Sequence, residues 1–211
     1  MIPDSSGLEV LLAELGRLCY DKGWAFGTSG NFSAVVSRDP FCMTITPTGL
    51  DKGSLSPAQF VHVDANGTVK EGSGLPSAET ALHLTAARLR KAGVVLHTHS
   101  VWSTMVSDFH GARGGLCLEG YEMLKGLRGV NSHTHREWVP ILENDQDMAR
   151  LAGAVEEILT QHPEAHGFLL RGHGLYTWGE NLAEAKRHLE ILEFLLEVTG
   201  RAGFTRPVPQ S

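Results

Sequence analysis

Residues 94–102 read VVLHTHSVW, an apolar run that ends in two histidines spaced two apart. Such a run reads as a β-strand, and alternate residues of a strand point to the same face. His97 and His99 therefore project together, with Thr98 opposite. Two imidazoles at that spacing can share one metal ion. A catalytic zinc site ordinarily takes three protein ligands and keeps one position open, so a third ligand has to come from elsewhere in the chain. Taken alone, the pair serves equally well as two hydrogen-bonded residues at a strand end.

The segments around this strand alternate between two periodicities. Leu8, Leu11, Leu12, Leu15 and Leu18 follow helical spacing, with Ser6 and Glu9 as a capping box and Gly23 as the stop. SAVVSR (33–38) and CMTIT (42–46) read as strands that turn at Asp39-Pro40. FVHVDANGTVKEG reads as a hairpin turning at Asn66-Gly67. Residues 78–91 read as a helix capped by Ser77, residues 100–107 as a short helix, and EWVPIL (137–142) as a strand. HGARGGLCLEGYEMLKGL between them reads as loop and short helix. Met148, Leu151, Ala152, Val155, Ile158 and Leu159 mark a second long amphipathic helix. GFLLRGHGLYTW (167–178) reads as two strands joined around His173, and a last helix runs from about Asn181 to Thr199, closed by Gly200. The tail 201–211 reads as poorly ordered. Interleaved strands and helices, with several hairpin-like strand pairs, predict a single α/β domain with an antiparallel-rich sheet and helices on both sides.

Composition narrows the function classes. The 211 residues suffice for one domain with a full core. The formal net charge of -6 argues against general nucleic-acid binding, which wants a basic face, yet leaves room for a local basic pocket for an anionic metabolite. Cys19, Cys42 and Cys117 are odd in number and form no CxxC pair, which fits a reducing cytoplasm. The N-terminus has no signal-peptide pattern, and no apolar run reaches the roughly 18 residues of a membrane helix.

Several other groups are candidates for chemistry. His173 in RGHGLYTWG stands between glycines, which let the backbone approach another group closely; it also fits an ordinary turn. His133 and His135 repeat the HxH spacing, and His83, His110, His162 and His166 are scattered. His62 and His188 read as surface or core-edge residues. Glu79 in PSAETALH is either a first-turn acid that favours the helix dipole or a ligand or base. Glu122 in EGYEMLKG is either a solvated acid on a short helix or a proton carrier. GTSGNFS (27–33) is rich in small residues and backbone donors and can form an anion-binding nest, though it lacks the Walker pattern. TPTGLDKG (46–53) and LPSAE (75–79) are similar small-residue turns.

In this order along the chain, GTSGNFS, TPTG, PSAE, HTHS and RGHG resemble the class II aldolase superfamily of sugar-phosphate lyases, over about residues 8–200. That group includes fuculose-phosphate aldolase and ribulose-phosphate 4-epimerase. Within it, LHTHSVWSTMVS, LEGYEMLKGL, VPILENDQDMARLA and RGHGLYTWGENLAEAKRHLEILEFLLEV resemble the methylthioribulose-1-phosphate dehydratase family. The resemblance implies an α/β fold with a central, mostly antiparallel sheet flanked by helices. It also implies a cytoplasmic homotetramer with active sites between subunits. The activity implied is dehydration of a small methylthio-ketose phosphate in methionine salvage; sugar-phosphate aldolase or epimerase chemistry is the alternative on the same scaffold. Carried over by position, His97, His99 and His173 match the histidines that hold Zn2+, one ion per subunit, although imidazole ligands also suit iron, cobalt or manganese. Glu122 matches the catalytic acid/base, and Glu79 matches a glutamate that serves as base or extra metal ligand. Gly30, Asn31, Thr48, Gly49 and Ser77 match the phosphate-pocket positions, and Lys125, one turn beyond Glu122, is a further candidate for the anion. His133 and His135 find no match and stay outside the metal site.

Overall fold

The computed structural model describes residues 5–205. In chain order the elements are helix α1 (Ser6–Asp21), strands β1 (Asn31–Arg38), β2 (Phe41–Ile45), β3 (Val61–Val63) and β4 (Val69–Glu71), and helix α2 (Thr80–Leu89). Strand β5 (Val94–Thr98), helix α3 (Val101–His110), strands β6 (Gly115–Glu119) and β7 (Arg136–Leu142) and helix α4 (Met148–Gln161) follow. Strands β8 (Gly167–Leu170) and β9 (Gly174–Gly179) and helix α5 (Leu182–Thr205) complete the set. The strands form one sheet in the order β4-β3-β2-β1-β5-β9-β8-β7-β6. Only β7 and β8 pair in parallel; the other neighbours are antiparallel.

The strand alternation divides the core into two layers. Phe32, Leu96, Leu169 and Leu175 point to the side covered by α1, α3 and α5. Val95, Phe168, Leu170, Tyr176 and Trp178 point to the side covered by α2 and α4. Each apolar side chain taken fully out of water contributes roughly 1.5–3 kcal/mol, so the buried row Leu189, Leu192, Leu195 and Leu196 alone anchors α5 firmly. Helices therefore lie on both sides of an antiparallel-rich sheet, as the interleaved pattern predicts.

Several local expectations change. Ser6 does not cap α1; Ser5 precedes the helix, and its hydroxyl donates to Glu9 Oε1 at 2.8 Å. Glu9 also accepts from Thr44 Oγ1, so it ties the helix to the sheet inside the core instead of closing a capping box. The β3–β4 hairpin turns through Asp64–Thr68, not Asn66-Gly67 alone, because Asp64 Oδ1 accepts from the amides of both Asn66 and Thr68. Ser77 lies two residues ahead of the α2 cap position, Glu79, and accepts from the Glu79 amide. Strand β6 replaces the loop expected at 115–119; Gly115 lies so close under the Trp138 ring that a Cβ would stand 2.4 Å from it. Helix α5 passes through Gly200 to Thr205, where a Cβ would meet the Trp102 ring at 2.4 Å, so that glycine serves close packing and not termination. Residues 201–205 of the expected tail are thus helical; 206–211 lie outside the described residues.

Candidate metal centre

The registers of three neighbouring strands build the site. Asn31 of β1 lies opposite His97 of β5, and His97 lies opposite Tyr176 of β9. Directly opposed residues share a face, so all three look toward the α2 side. His99 stands one residue past the end of β5, where its amide donates to Trp24 O at 2.7 Å. His173 is carried on the tight turn between β8 and β9, and its amide donates back to Leu170 O. A Cβ on Gly174 would lie 2.1 Å from Thr98 O, so only glycine lets this turn close on the β5 end.

This arrangement brings the three Nε2 atoms together. His97 to His99 is 2.8 Å, His99 to His173 is 2.9 Å and His97 to His173 is 3.3 Å. Two of the far nitrogens are engaged: His97 Nδ1 donates to Leu175 O at 2.9 Å, and His173 Nδ1 donates to Asn144 Oδ1 at 3.2 Å. Those contacts select the tautomer that leaves Nε2 unprotonated. The Nε2 lone pairs of His97 and His173, 3.3 Å apart, repel each other unless a cation lies between them. Tetrahedral Zn–N bonds of about 2.0–2.1 Å set ligand nitrogens on the order of 3.3 Å apart, close to these separations. Burial holds the set neutral: the His97 imidazole is pushed well below its usual range, first by burial and then by its two partners. His99 is lowered to about 4 and His173 is lowered as well, each mainly by burial. The donor set thus fits a divalent metal, which takes neutral imidazole. Among the described residues these histidines form the one such cluster.

Glu79 faces the cluster from the start of α2. Its Oε2 is 3.4 Å from His97 Nε2, its Oε1 is 3.4 Å from His173 Nε2, and Asn31 Nδ2 donates to Oε2 at 2.6 Å. A cleft of about 250 Å³ opens above, lined by Gly30, Asn31, Thr48, Gly49, Ser77 and Glu79 together with His99 and His173. Three loops compose it. The Pro47–Pro76 bridge brings the 46–49 turn against 75–77. Thr28 and Gly30 hold positive φ angles of 67° and 73°, which curl the backbone of this loop around the cleft. At Gly30 a Cβ would stand 2.7 Å from His97 O.

Lys52 is a cleft residue that sequence reasoning missed. It is buried, and its Nζ donates to Thr28 O at 2.9 Å and Leu50 O at 2.6 Å. Burial lowers its ammonium to about 8. A lysine in a polar turn ordinarily reads as solvated, so no local signal marks it. Asn144, Gln146 and Met148 also line the cleft without having been singled out.

Glu122 and Lys125 are not among the lining residues. They sit on the 3-10 turn Glu122–Gly126, where Lys125 Nζ pairs with Glu122 Oε1 and His133 lies 3.9 Å from Oε2. The Glu122 side chain is 72% exposed. The hydrogen bond from Lys125 holds its carboxyl below the usual range. His135 belongs to another group: its Nε2 is 2.9 Å from Glu137 Oε2, and Glu137 also accepts from the amide and Nδ1 of His166. His62 and His188 are buried. His188 Nδ1 donates to Trp178 O and its Nε2 accepts from the Arg128 amide.

Residues 10–199 match the sequence profile of the Class II Aldolase and Adducin N-terminal domain. The chain is 44% identical over 191 residues to a methylthioribulose-1-phosphate dehydratase from Pseudomonas savastanoi pv. phaseolicola, covering 90% of this chain and 92% of the relative. It is 46% identical over 178 residues to a protein of the same name from Serratia proteamaculans, covering 84% and 86%. Its fold is similar to that of an L-fuculose 1-phosphate aldolase, with a TM-score of 0.79 and 24% identity over 99% of this chain and 92% of that one.

Proposed function

The chain belongs to the class II aldolase and adducin N-terminal domain family, and from that premise we propose that it is a lyase that removes water from 5-methylthioribulose 1-phosphate, yielding 2,3-diketo-5-methylthiopentyl 1-phosphate in methionine salvage. The names and coverage of its relatives support the substrate. The observation that carries the chemistry is the convergence of three Nε2 atoms, those of His97 and His173 left unprotonated by their Nδ1 contacts, beside a cleft ringed by small-residue loops.

His97, His99 and His173 hold one divalent ion per subunit, with zinc the first choice for three imidazoles. When bound, such an ion supplies Lewis-acid polarisation of the substrate ketone. Gly30, Asn31, Thr48, Gly49 and Ser77, with Lys52, grip the phosphate at carbon 1 and so fix the distance of carbons 3 and 4 from the histidines. Glu79 takes the proton from carbon 3, next to the ketone; its carboxylate already lies against the cluster. The electron pair left at carbon 3 forms the double bond to carbon 4 as the hydroxyl departs from carbon 4 with a proton from Glu122. The resulting enol tautomerises to the second ketone. A positioned acid or base contributes about 10²–10⁴-fold to such a step.

Glu122 reaches this site from a neighbouring subunit of a homotetramer. Its exposure and its separation from the cleft within one chain support that reading. So does α3, whose Val101, Met105 and Phe109 form an exposed apolar stripe that begins two residues after His99. Lys125 travels with Glu122 and brings positive charge to the same cleft. Three free cysteines and the absence of any described helix long and apolar enough to cross a membrane are compatible with a cytoplasmic enzyme.

Purified protein assayed with methylthioribulose 1-phosphate and, separately, with fuculose 1-phosphate tests the proposal. Diketone from the first alone is expected. Aldehyde release from the second would overturn it in favour of aldolase chemistry on the same scaffold.

A further inference from the structure

His83 projects from α2 one turn beyond Glu79 and is fully buried. It does not itself line the cleft. Its Nδ1 is 2.7 Å from Ser33 Oγ, and its Nε2 meets Asn31 Oδ1. Asn31 in turn spends both hydrogens of its amide: Nδ2 donates to Ser77 Oγ at 3.0 Å and to Glu79 Oε2 at 2.6 Å. Ser33 and Asn31 are alternate residues of β1 and share a face, so strand and helix clamp the imidazole between them.

The donors and acceptors in this chain allow one consistent arrangement. Asn31 can give both N–H groups to Ser77 and Glu79 only while its carbonyl oxygen faces His83. That oxygen needs a donor, so the proton of the neutral imidazole sits on Nε2, and Nδ1 accepts from the Ser33 hydroxyl. With the proton on Nδ1, the Asn31 amide would have to turn over. Its carbonyl oxygen would then face the Glu79 carboxylate, acceptor against acceptor. Burial lowers the His83 imidazole to about 4, which keeps it neutral around pH 7.

We propose that His83 is a positioning residue: through the amide of Asn31 it aims the Glu79 carboxylate at the histidine cluster and at the substrate carbon above it. The inference rests on the reading of Glu79 as the proton acceptor. It assigns His83 no contact with substrate or metal.

Three substitutions separate this role from simple packing. Glutamine carries a donor near the place of the imidazole Nε2, phenylalanine fills the volume without one, and asparagine reaches only the place of Nδ1. His83→Phe and His83→Asn are expected to lose about tenfold to a hundredfold in kcat, with KM changed by less than about threefold and metal content unchanged, as for other groups that orient a site from behind. His83→Gln is expected to keep kcat within about threefold of the parent protein. Because His83 acts through Glu79, Glu79→Gln combined with His83→Phe should be no slower than Glu79→Gln alone. Multiplying losses, or equal activity of the glutamine and phenylalanine variants, overturns the proposal.

Nitrogen-15 NMR of the metal-free, histidine-labelled protein gives an answer independent of activity. One imidazole, absent from the spectrum of His83→Gln, should remain neutral with its proton on Nε2 down to about pH 5. A proton on Nδ1 sinks the inference even if the phenylalanine variant does not fold. Full activity of Glu79→Gln alone would instead remove the reading of Glu79 and leave the His83 tautomer to be judged by NMR.

Discussion

The imidazole of His97 lies flat on the ring of Tyr176, with centroids 3.9 Å apart and planes 12° from parallel. Phe168 stacks on Tyr176 in turn, at 4.7 Å and 4°. Cross-strand pairing of His97 with Tyr176 sets this column, and the Leu175 carbonyl at Nδ1 fixes the rotation of the imidazole. The innermost imidazole of the cluster is therefore preorganised by the sheet.

Removing the stack should weaken the metal and leave the fold. Tyr176→Leu is expected to lower metal affinity by about tenfold to a hundredfold, while Tyr176→Phe keeps it near the parent value. Competition against a chromophoric chelator measures both. Indistinguishable affinities for the two variants would mean that the ring does not hold His97.

Lys52 is the buried cation among the cleft loops, with two of its three N–H groups spent on carbonyls. Lys52→Met keeps the length of the stem and removes the charge. It is expected to raise KM for the phosphorylated substrate about tenfold or more, with kcat changed by less than about threefold. Inhibition by inorganic phosphate should weaken in parallel. A normal KM combined with a reduced kcat would place the lysine in the chemistry and not in phosphate binding.

That Glu122 does not line the cleft makes a prediction about subunits. Glu122→Gln homomers and His97→Ala homomers should each be nearly inactive. Hybrids formed by dissociating and reassociating the two should regain a substantial fraction of activity, because some sites would combine an intact histidine cluster with an intact glutamate. Hybrids no more active than their parents would show that Glu122 serves its own chain or has no role.

Glu193 of α5 accepts from Thr98 Oγ1 at 2.6 Å on the far side of the histidine strand. Burial raises its carboxyl from 4.5 to about 7, against hydrogen bonds from Ser100 and Thr98 that lower it. The folded state therefore holds this proton more tightly than the unfolded chain does. The stability linked to it is complete below about pH 4.5 and is lost as pH rises through 7. Glu193→Gln does not titrate, so its stability relative to the parent protein should rise by about 3 kcal/mol between pH 4 and pH 8. Urea unfolding at matched metal load tests this, and a pH-independent difference would refute it.

Local pattern carried much of the fold. The apolar run VVL marked β5, and the alternation of a strand placed Thr98 opposite the histidines, where it now meets Glu193. Helical spacing marked α1 and α4 and picked out the buried face of α4, whereas in α1 the buried face runs through Leu12, Leu15 and Cys19 and leaves Leu11 exposed. Failures arose where a glycine served tertiary packing. Gly115 read as part of a loop because nothing local announces the Trp138 ring above it, and Gly200 read as a stop because nothing local announces Trp102.

The sequence by itself determined which residues could carry chemistry: the HxH pair, the histidine between glycines, the small-residue turns and the two glutamates. These are properties of spacing and residue type, which neighbouring positions decide. Only the tertiary structure decided which of them meet. The register of β1 on β5 put Asn31 opposite His97, and α2 swung Glu79 over the cluster while the turn at 122–126 stayed outside it. The same closure buried Lys52 and His83, to which the sequence alone assigned no role. Burial and donor geometry depend on contacts between segments far apart in the chain, and those contacts give a histidine its tautomer, a lysine its lowered pKa and a carboxylate its aim.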